Sequence, residues 1–116
     1  MKSIDIQRIY DHKKADGTYR ILVDKLWPRG IKKVDLEFDE WNKELAPSTE
    51  LRKQFNHKPE LFGEFTKNYQ KELSLKEDEL QRIRDIAEKQ PVNLLYGAKD
   101  TQNNHAVVLR YVLLKK

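Results

Sequence analysis

Two short stretches of the sequence concentrate side chains that can bind or transform an anion. The first, "DKLWPRG" at residues 24–30, places Lys25 and Arg29 around a Trp-Pro pair. The planar guanidinium of Arg29 can donate two parallel hydrogen bonds to a phosphate or a carboxylate. The second, "YGAKDTQNNH" at residues 96–105, supplies four further candidates: Lys99, Asp100, Asn104 and His105.

His105 and Asp100 are the candidate catalytic residues, and their chemistry would be proton transfer. His105 opens a predicted helix, whose dipole disfavours the charged form of an imidazole in the first turn. A neutral imidazole there can act as a general base or donate a hydrogen bond. A carboxylate among several cations stays ionised and is a weak base, which favours a structural role for Asp24 and Asp100.

The candidate ligand-binding residues lie close to predicted strand ends: Arg8, Lys25, Arg29, Lys99 and Asn104. Free backbone N–H groups at a helix start add to such a site, because they attract anions. A structural interpretation stands beside this one. In it, Asn104 caps the helix, His105 fills a core niche, and Arg29 pairs with an internal carboxylate such as Asp24.

The residue types that the sequence lacks exclude several kinds of chemistry. There is no cysteine, which excludes disulfides, thiolate metal sites, iron–sulfur clusters and cysteine nucleophiles. The three histidines, His12, His57 and His105, form no closely spaced ligand pair, so we predict no metal site. No glycine-rich dinucleotide motif or phosphate-loop motif occurs, and we predict no cofactor.

The charge balance leaves three classes of function open. The 23 basic and 19 acidic residues give a formal net charge of +4, the mild excess of an ordinary charged surface. The first class, which fits the two motifs, is a protein that binds a small anionic ligand or an enzyme that acts on one. A nucleic acid is an alternative partner, although such binders usually carry a denser basic stripe. A protein-interaction module anchored by Phe38 and Trp41 is the third.

The sequence shows no membrane-directed segment. No apolar stretch approaches the roughly 20 residues that cross a bilayer. Asp5, Gln7 and Arg8 interrupt the start, which therefore lacks the apolar region of a signal peptide. We expect a cytoplasmic protein without a membrane partner, and the sequence leaves its oligomeric state open.

Strands are predicted at "IDIQRI", "YRILVDKL" and "VNLLYGA". The last should be central, because its nearly continuous apolar run is typical of a strand covered on both faces. The Asp16-Gly17 turn would permit a hairpin of the first two strands. Their connection of about ten residues is borderline for a parallel pair.

Helices are predicted between and after these strands. One begins after Ser48 or Thr49, one at Pro59, one after a capping box from Ser74 to Glu77, and the last after Asn103 or Asn104. The long connection after the second strand has a short helix at most, near residues 38–45. Strands separated by helices predict an α/β fold, with residues 1–116 forming one domain around a small, mainly parallel sheet flanked by helices. In such sheets ligands bind beyond the carboxyl ends of the strands, which is where both motifs lie.

Three stretches also carry a resemblance to a known family. "LVDKLWPRGI", "LAPSTELRKQFNHKPE" and "LLYGAKDTQNNHAVVL" together resemble the YeaO-like branch of the domain-of-unknown-function 488 family. The resemblance covers nearly the whole chain and implies a small, cytosolic, bacterial α/β protein whose activity is not established. It also favours a parallel arrangement of the first two strands.

Overall fold

A four-stranded parallel sheet forms the centre of the structure, a computed structural model that describes residues 3–115. Its strands are β1 (Ile4–Arg8), β2 (Tyr19–Leu22), β3 (Glu40–Trp41) and β4 (Val92–Tyr96), in the spatial order β1-β4-β2-β3. Leu94 of β4 is opposite Ile6 of β1 and Ile21 of β2. The predicted α/β fold with β4 at its centre is therefore confirmed, and all five residues of β4 are buried.

The first two strands are parallel and do not form a hairpin. They are not neighbours either, because β4 is inserted between them and pairs with both. The loop between them is held by Arg20, which is only 1% exposed and whose guanidinium donates to the carbonyls of His12 and Lys14. The Asp16-Gly17 turn is thus part of a crossover loop.

In the described part of the chain, four α-helices follow the strands or connect them: α1 (Thr49–Phe55), α2 (Phe62–Leu73), α3 (Glu77–Lys89) and α4 (His105–Leu114). Two of the predicted starts are confirmed by their caps. The Ser48 hydroxyl accepts a hydrogen bond from the Leu51 N–H, and the Asn104 side-chain oxygen accepts one from the Val107 N–H at 3.1 Å. These caps satisfy backbone donors that a helix start leaves unpaired.

Two local predictions were wrong, and a third was right only in part. The connection near residues 38–45 contains the short edge strand β3, which pairs with β2 at Ile21 and Leu22. The capping box is absent, because the Ser74 hydroxyl donates back to the Lys71 carbonyl at the end of α2 and α3 begins only at Glu77. Pro59 is the first residue of a helical segment, as predicted, but its first turn, Pro59–Leu61, is a 3₁₀ turn that leads into α2 at Phe62.

The two faces of the sheet are covered by different parts of the chain. On one face, Ile4, Ile21 and Leu94 pack in a large cluster to which all four α-helices contribute. On the other face, Leu22 and Leu95 pack in a smaller cluster with residues of the long connection between β2 and β3. Successive strand residues point to opposite faces, so each strand serves both clusters. Within residues 3–115, no helix is long and apolar enough to span a bilayer.

Candidate functional site

A cleft of about 450 Å³ lies beyond the carboxyl ends of β2 and β4, and we call it the strand-end cleft. Residues 24–29 form one wall, and residues 97–98 with 103–105 form another. The end of α1 and the two residues after it, Asn56 and His57, supply a third side. The two sequence motifs therefore meet here, although about 70 residues separate them along the chain.

Asp24 joins the ends of the two central strands to the start of α4. Its Oδ2 accepts a hydrogen bond from the Gly97 N–H at 2.9 Å, and its Oδ1 lies 3.0 Å from Nε2 of His105. A methyl group at Gly97 would lie 2.9 Å from the same Oδ2, so only glycine allows this approach. Asp24, and not the predicted Asp100, is thus the carboxylate beside His105.

The surroundings of His105 determine which ring nitrogen carries hydrogen. Nε2 faces two acceptors, Asp24 Oδ1 at 3.0 Å and the Val23 carbonyl at 3.1 Å, so Nε2 must be protonated. Both acceptors lie within hydrogen-bond distance of the same N–H, and Asp24 Oδ1 is a buried atom. In the neutral ring Nδ1 is then the nitrogen that can accept a proton.

Two arginines of the cleft have no partner within the described part of the chain. Arg29 and Arg52 make no side-chain hydrogen bond and have no carboxylate within 4 Å among residues 3–115, and Nε of Arg52 is buried. The other five arginines, all outside the cleft lining, donate to carboxylates or carbonyls: Arg8, Arg20, Arg82, Arg84 and Arg110. Unpaired guanidinium groups are thus concentrated at this one place.

Lysines add positive charge to the same cleft. Lys25 and Lys53 line it, and neither is paired with a carboxylate in residues 3–115. Asp24 is the one acidic side chain among the residues that line the cleft. The cleft therefore carries a clear excess of positive charge, which attracts anions.

The loop that carries Arg29 is held by its aromatic neighbours. The Tyr10 hydroxyl donates to the Arg29 carbonyl at 2.7 Å, and Trp27 Nε1 donates to the Ile31 carbonyl at 2.6 Å. Trp27 is half-buried, with its ring 5.4 Å from that of Trp41 and 5.8 Å from that of Phe38. Phe38 and Trp41, both half-buried, thus pack against Trp27 and help to hold the loop.

The turn after α1 adopts an unusual backbone conformation. Asn56 has a φ of 46° and His57 a φ of 56°, both in the left-handed region. This region is unfavourable for residues other than glycine, although asparagine and histidine tolerate it best. The turn ends α1 sharply, with the Asn56 N–H donating to the Arg52 carbonyl at 2.9 Å. Sequence reasoning missed the contribution of Arg52, Lys53 and His57 to the cleft.

Not every predicted binding residue lies in the cleft. Lys25, Arg29, Asn104 and His105 line it, whereas Arg8, Lys99 and Asp100 are not among its lining residues. Arg8 donates to the Ala98 carbonyl at 2.9 Å and so holds the loop after β4, and Lys99 is exposed.

Asp100 stabilises the turn that leads into α4. Its carboxylate accepts hydrogen bonds from the backbone N–H groups of Asn103 and Gln102, both at 2.9 Å. These bonds, with that from the Asn103 side chain, lower the pKa of Asp100. A carboxylate held in its ionised form is a weak proton acceptor, so the arrangement suits a structural role. No cluster of three or more potential metal ligands occurs among the described residues.

Comparison with known proteins places the chain in a family. A family model described as "Inactive DUF488-N3 subclade" matches residues 3–116. The chain is 53% identical to the uncharacterised protein YeaO of Escherichia coli K12 over 107 residues, which cover 92% of this chain and 93% of YeaO. It is 36% identical over 110 residues to the uncharacterised protein Rv3073c of Mycobacterium tuberculosis H37Rv, covering 95% of this chain and 92% of that protein. No solved structure matches it significantly. The resemblance seen in the sequence is thereby confirmed, and the chain is a YeaO-like member of the family of domain of unknown function 488.

Proposed function

We propose that this protein binds a small molecule bearing a phosphate or carboxylate group in the strand-end cleft. The observation that carries the proposal is the pair of unpartnered guanidinium groups of Arg29 and Arg52. Among the described residues that line the cleft, Asp24 is the one carboxylate, so the positive charges there are not neutralised within the protein. A bound anion would satisfy these donors and offset the excess charge of Lys25 and Lys53.

The fold supports the same proposal, because the cleft lies where open parallel sheets bind ligands. The loop of Arg29 is already fixed by the hydrogen bonds of Tyr10 and Trp27. A fixed loop does not have to be ordered when the ligand binds, so less of the interaction energy is lost. The cleft is therefore preorganised on the side where the charge lies.

Binding without a reaction is the version that we favour. The model that matches this chain describes its subclade as inactive. A second candidate, proton transfer by His105, is favoured by one observation: Nε2 is held by Asp24 and Val23, which in the neutral ring leaves Nδ1 as the basic nitrogen. This candidate requires binding first, so the binding experiment tests both.

The experiment is a titration of the protein with inorganic phosphate and with a dicarboxylate, followed by NMR of the backbone amides of Arg29 and His105. Arg29→Gln and Arg52→Gln should each weaken binding by about tenfold or more, since a hydrogen bond to a charged group contributes about 1.5–3 kcal/mol. Lys67→Gln is the matched control, because Lys67 is an exposed cation on α2 outside the cleft lining. If neither amide responds at millimolar concentrations of either anion, the proposal fails. If short nucleic acids shift basic residues outside the cleft instead, the nucleic-acid alternative replaces it.

A further inference from the structure

We infer that the ligand of the strand-end cleft is a compact polyanion, a small molecule that carries at least two linked anionic groups. This inference rests on the proposed anion binding and concerns how many charged groups the ligand has. Three properties of the cleft lead to it: its net charge, the division of that charge between two elements of the fold, and its volume.

The net charge of the cleft exceeds what one phosphate neutralises. Among the described residues that line it, the single carboxylate of Asp24 stands against four cations, which leaves a formal charge of +3 with the histidines neutral: Lys25, Arg29, Arg52 and Lys53. A phosphate group carries about −1.5 to −2 at pH 7, so about one positive charge would remain beside it. Like charges held close together repel each other, and a second anionic group on the ligand would remove this repulsion.

The Asp24 carboxylate is committed to partners other than these cations. Its Oδ2 accepts the Gly97 N–H at 2.9 Å, and its Oδ1 lies 3.0 Å from His105 Nε2. In the described part of the chain, none of the four cations has a carboxylate oxygen within 4 Å. All four are therefore available to a ligand.

The cations come in two pairs from two elements of the fold. Lys25 and Arg29 lie in the loop that follows β2, and Arg52 and Lys53 lie in the last turn of α1. Each side of the cleft thus contributes one arginine and one lysine. The planar arginine forks suit the first anionic group, because they donate parallel hydrogen bonds to it. The lysines are compact point charges on flexible stems, and they suit a second group linked to the first.

The volume of the cleft sets the size of a ligand that it can enclose. The cleft measures about 450 Å³, which at roughly 30 Å³ for each water-sized heavy atom encloses about 15 heavy atoms. By this measure a phosphate ion, with about five heavy atoms, fills only about a third of it. Inorganic diphosphate has about nine heavy atoms and citrate about thirteen, so both fit. The cleft therefore encloses two or three linked anionic groups.

The test compares three probes by calorimetry with the full chain at pH 7: inorganic phosphate, inorganic diphosphate and citrate. The ionic strength is held constant, because salt screens exposed charges. We expect diphosphate, citrate or both to bind at least about tenfold more tightly than phosphate, since each presents a further anionic group to the lysines. A preference for diphosphate alone identifies the groups as phosphates, and a preference for citrate alone identifies them as carboxylates.

Substitutions of the two lysines test where the second group binds. Lys25→Gln and Lys53→Gln should each weaken binding of the tighter probe more than binding of phosphate, so that the ratio of the two affinities falls by about three- to fivefold. Lys67→Gln removes an exposed cation outside the cleft lining and should leave the ratio unchanged. The thermal midpoints of all three variants should equal that of the unchanged protein, which shows that only binding is affected.

The outcomes separate this inference from the proposed function. If the three probes bind with similar affinity, anion binding stands and the polyanion inference is overturned. It is also overturned if the cleft lysines leave the ratio unchanged, or if Lys67→Gln lowers it as much as they do, because the preference would then come from the charge of the whole protein. If no probe binds, the inference and the proposed function fail together.

Discussion

Replacing Gly97 by alanine should uncouple Asp24 from the central strand. The added methyl group would lie 2.9 Å from Asp24 Oδ2, 3.6 Å from Ile9 Cδ1 and 3.7 Å from Tyr10 Cε2, and only the first of these distances is too short. The carboxylate can rotate away, so the cost is not a fixed clash. It is the loss of the bond between the Gly97 N–H and a charged acceptor, which contributes about 1.5–3 kcal/mol.

The assay for this variant is thermal and urea unfolding. With an unfolding entropy of about 2.1 cal/mol/K per residue, a chain of 116 residues loses about 4 °C in Tm per kcal/mol, so Tm should fall by about 6–12 °C. Gly63→Ala is the matched control. Gly63 lies in α2 with nothing within 4 Å of an added methyl group, and alanine there should stabilise by about 0.5–1 kcal/mol.

A double-mutant cycle identifies Asp24 as the cause. In an Asp24→Ala background the added methyl group has no carboxylate to displace, so Gly97→Ala should cost less than about 0.5 kcal/mol there. An equal cost in both backgrounds would refute the reasoning, and so would a Gly97→Ala variant as stable as the unchanged protein.

Three other predictions concern the framework of the fold. Arg20→Met should lower the free energy of unfolding by about 2–4 kcal/mol in urea titrations, because the buried guanidinium satisfies two loop carbonyls. Burial raises the pKa of Tyr69, so the folded protein holds the phenol neutral at a pH where the unfolded chain ionises it. As pH rises above the ordinary pKa of 10, the free energy of unfolding should therefore fall by about 1.4 kcal/mol per pH unit. In Tyr69→Phe the urea midpoint should fall less steeply over the same alkaline range. Tyr69→Phe should also cost about 1 kcal/mol at neutral pH, since the hydroxyl donates to the Leu45 carbonyl. The hydrogen bond from the Asn103 N–H lowers the pKa of Asp100. The stability that Asp100 adds to the fold is therefore present above its ordinary pKa of 3.8 and is lost as pH falls below that value. The urea midpoint of Asp100→Ala should then change less with pH in the acid range than that of the unchanged protein.

The parts of the fold that sequence reasoning found are those with strong local signals. The apolar run of β4 and the cap at Asn104 are local, and both were predicted at the right place. The edge strand β3 has only two residues, and it exists because Glu40 and Trp41 pair with β2. A strand of that length has no periodicity, so no local pattern could have indicated it.

The third side of the cleft illustrates the same limit. Arg52 and Lys53 form part of a basic group that is visible in the sequence, but their place in the cleft depends on how the end of α1 packs in the core. The left-handed turn at Asn56 and His57 directs that end, and only Asn56 gives a weak hint of it. Long-range packing, not residue type, thus selects which cations reach the cleft.

The contact between Asp24 and His105 explains why the carboxylate is present among so many cations. The two residues lie far apart along the chain, and their contact fixes the start of α4 against the end of β2. One carboxylate oxygen, Oδ2, is committed to this framework through the Gly97 N–H. The other, Oδ1, is a buried atom 3.0 Å from His105 Nε2, so it too faces the framework. Asp24 therefore holds the ends of the central strands and the start of α4 together beside the cations that would bind an anion.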